Sequence, residues 1–235
     1  MTPQKTVFWA VDAQADFMQP GGKLYVPGAE KIIPNIERLI AAAIEAGALL
    51  ISSGDSHPEG DPEFERFPPH CLRGTPGARI VPEGLAANFC TIPNDPSRAM
   101  PNHVLSFPQV IFEKQTLDVF ENPHAGALVD RLPADAEYVV FGVVTEYCVK
   151  FAAKGLLERH RKVAIVKDAI ETLDAEAGRQ TLQKLQSLGA RLISTEEAIA
   201  ALQPERKSPE TGGRGFSPAA KYHCASGLQP LKPRS

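Results

Sequence analysis

Tyr138–Val149 reads YVVFGVVTEYCV, an apolar run, a glycine, and then a polar Thr145–Glu146 pair that opens a second apolar pattern. The run Tyr138–Phe141 suits a strand covered on both faces, because it shows no polar alternation. Gly142 marks a tight turn, and a helix is expected from Thr145 or Glu146, with Thr145 as its N-cap. Val149, Ala152, Ala153, Leu156 and Leu157 then recur at steps of three and four, the period of a helix with one buried face. Strand, turn and helix in this order form one half of a parallel crossover unit.

The same alternation runs outward in both directions. Thr6–Val11, Ala48–Ile51, Val110–Phe112, Val163–Val166 and Arg191–Ile193 are further short apolar runs. Between them, Ile32, Ile33, Ile36, Leu39, Ile40, Ala43 and Ile44 trace a helix that Gly47 stops. Asp174 is placed to cap another, with Leu182, Leu185 and Leu188 on its face and Gly189 after it. The expected fold is α/β, with a central, mostly parallel sheet of about six strands flanked by helices.

Two segments interrupt the pattern. Ser52–Arg79 is rich in Pro, Gly, His and acidic residues, and it reads as a ligand loop. Pro82–Pro108 is Pro-rich and irregular, and it reads as a flap or a subunit contact. From Gln203 onward Pro, Gly and Ser dominate and no apolar period remains, so 203–235 is expected to be a disordered basic tail after a 1–202 domain.

Composition narrows the function classes. A net charge of -3 over 235 residues gives no electrostatic pull toward nucleic acid or an anionic membrane. No run reaches the roughly 18 apolar residues of a membrane span. The N-terminal apolar stretch is too short for a signal-peptide core, which leaves a cytoplasmic location as the expectation. Cys71, Cys90, Cys148 and Cys224 contain no CxxC pair, so no disulfide framework is expected.

Four places carry candidate chemistry. Cys148 falls in the first turn of the predicted helix, where free N–H groups and the helix dipole favour a thiolate and can hold an oxyanion. Asp12 ends the first strand, at the mouth where α/β sheets place ligands. Lys114 follows another strand and can act there as a cation. Asp55 and His57 flank a single residue and so share a face of an extended segment, and His70 follows behind Pro68 and Pro69. Carboxylate and imidazole together suit Zn, Mn or Fe, with Glu63 or Glu65 available to complete the shell. Taken singly, Cys148 and Lys114 have commoner structural explanations, a buried inert thiol and a solvated lysine; Asp12 reads equally well as an Asx turn or helix cap; and two histidines among acids in one loop favour a metal over a merely polar loop.

Together they resemble the isochorismatase-like cysteine hydrolases, nicotinamidases in particular, over roughly Val7 to Leu202. VDAQADF at Val11–Phe17 is similar to the family's D-x-Q-x-D-F opening, IFEKQTLDVF at Ile111–Phe120 to its K-x-x-x-D-x-F segment, and GVVTEYCV at Gly142–Val149 to its G-x-x-T-[DE]-x-C-V elbow. Asp55-Ser56-His57, followed by PPHCLRGTPGA at Pro68–Ala78, resembles the nicotinamidase metal loop.

The resemblance implies a three-layer Rossmann-like fold and a catalytic triad of Asp12, Lys114 and Cys148. It implies an oxyanion hole from the N–H groups of Val144 and Cys148, beside a cis Val143–Val144 peptide. It also implies a divalent metal, Zn first, on Asp55, His57, His70 and Glu63. The expected reaction is hydrolysis of a small amide through a cysteine thioester, with nicotinamide the expected substrate and NAD salvage the setting. Phe17, Phe67 and Tyr147 are the expected walls of the substrate pocket, with Phe120 a further candidate. A homo-oligomer is expected on the same ground. Ser56 and Phe67 stand where nicotinamidases commonly carry Trp, and Pro82–Pro108 exceeds the usual connection. These departures keep a related amidase, acting on another small amide or an N-carbamoyl compound, as the alternative.

Overall fold

The computed structural model describes residues 6–202. The tail expected over 203–235, with Cys224, lies outside the described residues.

Seven strands form one sheet in the order β3-β4-β2-β1-β5-β6-β7. They are β1 (Thr6–Val11), β2 (Leu49–Asp55), β3 (Phe89–Ile92), β4 (Gln109–Lys114), β5 (Glu137–Gly142), β6 (Lys162–Ile170) and β7 (Arg191–Ile193). Every neighbouring pair is parallel. The expected sheet of about six strands therefore gains one, and it is parallel throughout rather than mostly so. The added strand, β3, lies inside the segment read as a flap or contact. Its four residues, FCTI, are too few to show a period among the surrounding prolines.

Side-chain alternation splits the interior into two layers. Phe8, Leu50, Ile111, Val139 and Ala164 face one side, where Ile36, Leu39, Ile40 and Ala43 of α2 (Ile33–Glu45) and Ala198 of α6 (Thr195–Ala200) cover them. Trp9, Ile51, Phe112, Val140 and Ile165 face the other, under α3 (Ala125–Asp130), α4 (Lys150–Glu158) and α5 (Ala175–Ser187). Both faces of each central strand are buried, which is why those runs read as continuously apolar.

Helix signals held unevenly. Asp174 caps α5 by accepting from the Ala177 N–H, and Gly47 closes the turn after α2 with φ +67°. Thr145 does not cap: a π-turn over Thr145–Val149 precedes α4, and the Thr145 hydroxyl donates instead to the Glu171 carbonyl at 2.8 Å.

The strand order reverses beside β1. The chain first moves from β1 to β2 on one side and later returns to β5 on the other, so the carboxyl ends of β1 and β5 flank the crevice where ligands enter α/β sheets. Gly142 permits the close approach there. It has φ +115°, and a Cβ on it would lie 2.0 Å from the Val11 carbonyl oxygen.

Candidate active site

Four strand ends deliver the polar residues. Asp12 follows β1 with φ +49°, Asp55 ends β2, Lys114 ends β4, and Cys148 sits in the π-turn after β5. All four are at least 95% buried, Lys114 among them with 1% exposure. Lys114 Nζ is the hub: it lies 2.9 Å from Asp12 Oδ2, 2.5 Å from Asp55 Oδ1 and 3.5 Å from Cys148 Sγ. The Ser53 hydroxyl donates to Asp12 Oδ1 at 2.7 Å. The structure thus brings together the three residues expected as a triad. It also adds Asp55, which had been assigned to the metal loop alone.

The electrostatics follow from burial. Dehydration by itself would discharge Lys114, but Asp12, Asp55 and Cys148 around it push its pKa well above the ordinary lysine value. Burial raises the Asp12 carboxyl, and Lys114 only partly opposes the rise. Burial also pushes the Cys148 thiol well above its usual range, with Lys114 opposing and the Asp12 charge adding to the rise. Burial therefore works against the thiolate that the helix position favours, so removal of the thiol proton calls for a base beside it.

The second cluster begins at the other oxygen of Asp55. Asp55 Oδ2 lies 3.7 Å from His57 Nε2 and 3.5 Å from His70 Nε2, and ligand atoms of the three residues fall within 4.8 Å of one another. His70 Nδ1 lies 2.8 Å from the Pro68 carbonyl, an acceptor only, so Nδ1 carries the proton and donates. His70 Nε2 is then turned toward Asp55 Oδ2, in the direction from which a shared cation would be bound. Both ring nitrogens of His57 are buried without a hydrogen-bond partner. Two buried carboxylates against one ammonium leave a further negative charge to balance. These residues fit a divalent cation.

Asp61 was not anticipated. It lies four positions after His57, and its Oδ2 stands 3.0 Å from His57 Nδ1, leaving Nε2 toward Asp55. Its only sequence signal was a carboxylate one helical step from a histidine. Glu63 is half-buried and faces the same cavity but lies outside the three-residue cluster, and Glu65 is exposed.

Phe17, Phe67 and Tyr147 line one cavity with Val144 and Cys148. Leu24, Leu117 and Leu173 extend its apolar wall, Asp55, Glu63 and His70 form its polar side, and its volume is about 20 Å³. Phe120 does not reach it: its ring packs on Trp9 and under Arg159, in the layer behind the sheet. Ser56 faces away from the cavity, toward Arg73, whose Nε donates to its hydroxyl at 3.2 Å. The Val143–Val144 peptide is cis. Two roomier surface grooves of about 470 Å³ lie elsewhere, one between α4 and α5 and one along the Pro68–His70 loop. Chemistry rather than size singles out the small cavity.

No described helix is long and apolar enough to cross a membrane. Among the described residues, Cys71, Cys90 and Cys148 form no disulfide.

Comparison with known proteins agrees with this geometry. A nicotinamidase of Escherichia coli strain K12 is 25% identical over 209 residues, covering 78% of this chain and 92% of that protein. The crystal structure of the pyrazinamidase of Pyrococcus horikoshii in complex with zinc matches with a TM-score of 0.64 at 27% identity, covering 81% of this chain and 99% of that one. The N-carbamoylsarcosine amidase of Thermoplasma acidophilum matches with a TM-score of 0.63 at 19% identity, over 82% of this chain and 97% of that one, which shows a shared fold. The isochorismatase domain model matches residues 6–197, nearly the whole described region, and the chain belongs to the isochorismatase family of hydrolases.

Proposed function

We propose that this chain is a cysteine amidase that hydrolyses nicotinamide to nicotinate and ammonia. The observation that carries the reading is the buried hub in which one ammonium touches a carboxylate base and a thiol, 2.9 Å and 3.5 Å away. Asp12 accepts the Cys148 proton as Sγ attacks the carboxamide carbon. Lys114 keeps both groups in place and offsets their charge. The developing oxyanion is held by the N–H groups of Val144 and Cys148. Asp12 returns the proton to the departing ammonia, and water then cleaves the thioester to release the acid and restore the thiol. Phe17, Phe67 and Tyr147 hold the ring.

Asp55, His57 and His70 would hold a divalent cation, zinc first, with Glu63 the acid placed to complete the shell. Such a cation would supply an open position for the ring nitrogen of the substrate. The zinc complex of the Pyrococcus pyrazinamidase supports this assignment.

Ammonia release from nicotinamide, pyrazinamide and an N-carbamoyl compound tests the substrate. Release from the first two is expected. Silence on both, with release from the third, would move the chain to the alternative amidase, which Ser56 in place of the common Trp favours. His57→Ala should lower zinc content and raise KM for nicotinamide about 10- to 100-fold, the usual effect of damaging a metal shell. Unchanged zinc per chain, with a rate indifferent to chelator, would sink the metal assignment.

The pH profile follows from the two raised groups. Asp12 must be ionised to act, and its pKa is above the usual carboxylate value, so kcat/KM should fall in acid at a pH above about 4. The shared proton is lost only when Cys148 ionises as well, so the alkaline limb should lie well above the ordinary thiol range of about 8.5. An alkaline limb at the ordinary thiol value would contradict a base-dependent thiol.

A further inference from the structure

Asp55 is shared by both halves of the site, yet the sheet holds only one side of its backbone. β1 pairs with β2 as far as Val11 opposite Ser53, and there the chain turns away. The Asp55 N–H and C=O that face β1 would be left without a strand partner. The side chain of Gln14 takes that place. Its Oε1 accepts from the Asp55 N–H at 2.6 Å, and its Nε2 donates to the Asp55 carbonyl at 2.7 Å and to the Ala78 carbonyl at 2.7 Å. Gln14 is fully buried, and its own backbone bridges to Ile80. One primary amide thus uses both donors and its acceptor to tie the end of β2 to the loop that follows His70.

We infer that Gln14 is a positioning residue that sets where Asp55 presents its two carboxylate oxygens, one to Lys114 and the other to His57 and His70. For the metal half alone, the inference rests on the proposed ligand role of Asp55. Few other residues can do this. Glu has the same shape but sets an oxygen against two carbonyl oxygens. Asn has the right groups but is one methylene short. Met leaves three buried backbone groups unmet.

The test uses the full chain with Gln14→Glu and Gln14→Asn. Ile193→Val serves as a destabilised control, because it trims the core in β7, far from the site. Zinc affinity is measured by chelator competition, and kcat with the best amide of the ammonia assay. Gln14→Glu should bind zinc at least about tenfold more weakly and lose roughly 100-fold in kcat, scales typical of residues that orient metal ligands. Gln14→Asn should fall between it and the unaltered protein. If both Gln14 variants keep zinc affinity and kcat within twofold, or lose no more than Ile193→Val at equal melting temperature, Gln14 is structural only and the inference is overturned. Should neither variant fold, hydrogen exchange at the Asp55 amide of the unaltered protein decides: exchange as slow as at Ile51 supports the clamp, and fast exchange overturns it. Failure of the nicotinamide reading is separable, since zinc affinity needs no turnover and kcat is read on whichever amide is cleaved. If the unaltered chain binds no zinc, the ligand reading fails and kcat still tests Gln14 through Lys114.

Discussion

Cys148→Ala is expected to reduce amide turnover by at least about 10⁴-fold while leaving the protein folded and able to bind zinc. Loss of a nucleophile from a catalytic unit commonly costs on the order of 10⁶ in kcat, the remainder coming from binding and oxyanion contacts alone. The structural cost is small, because the change removes one buried sulfur from the wall of a cavity and leaves no charge unpaired. A fluorometric ammonia assay, with circular dichroism on the same sample, checks both halves. Activity above a few per cent in a clean preparation would show that the sulfur is not the attacking atom, and the triad would have to be abandoned.

Lys114→Met is expected to be damaging in a different way, through stability as well as rate. The ammonium is the cationic partner of two buried carboxylates, at 2.9 Å and 2.5 Å. Removing one member of a buried ion pair typically costs about 3–5 kcal/mol. For a chain of this size that corresponds to a fall of roughly 6–20 °C in Tm. The pH dependence should also change. Burial alone would raise the Asp55 carboxyl, but Lys114 beside it holds it far below the usual range. In the unaltered protein Asp55 therefore contributes stability above the unfolded carboxylate pKa and loses it as the pH falls toward its folded value. Without Lys114, burial raises the Asp12 carboxyl with its main opponent gone, while His57 and His70 still hold Asp55 down. Ionisation of Asp12 then opposes folding, and that stability is lost as the pH rises through its folded value. Thermal unfolding at pH 5 and pH 7 should find the variant relatively better off at pH 5. A loss below about 1 kcal/mol, with unchanged pH dependence, would mean that the hub is not held by charge.

What could be read in advance depended on whether a residue's meaning was local. Asp12, Lys114 and Cys148 each end a recognisable strand–turn unit, so their convergence followed from topology. Asp55 closes β2, and His57 and His70 follow in a loop whose composition already signals a ligand site. β3 was missed because four residues among prolines carry no period. Phe120 was misplaced because an aromatic after a strand can turn to either face, and here Trp9 and Arg159 hold it on the far one. The thiol was expected to be acidic from its helix position. Its actual neighbours, a carboxylate and a dry layer of apolar side chains, are brought there by distant segments. Gln14 lay within a motif that had drawn attention to its aspartates. The importance of its amide appears only once β1 is seen to leave the sheet beside Asp55.

One carboxylate divided between an ammonium and two imidazoles has a practical consequence for laboratory handling of the protein. On the proposed metal assignment, a chelator-stripped sample is not a blank. A cation between Asp55 Oδ2 and the imidazoles would draw on the same carboxylate that holds Lys114, 3.5 Å from the sulfur. Its removal would then alter the nucleophile by which electrophilic fragments are ranked. Reactivity profiling and inhibitor selection should therefore be run with and without added zinc, with the metal stoichiometry measured in every batch.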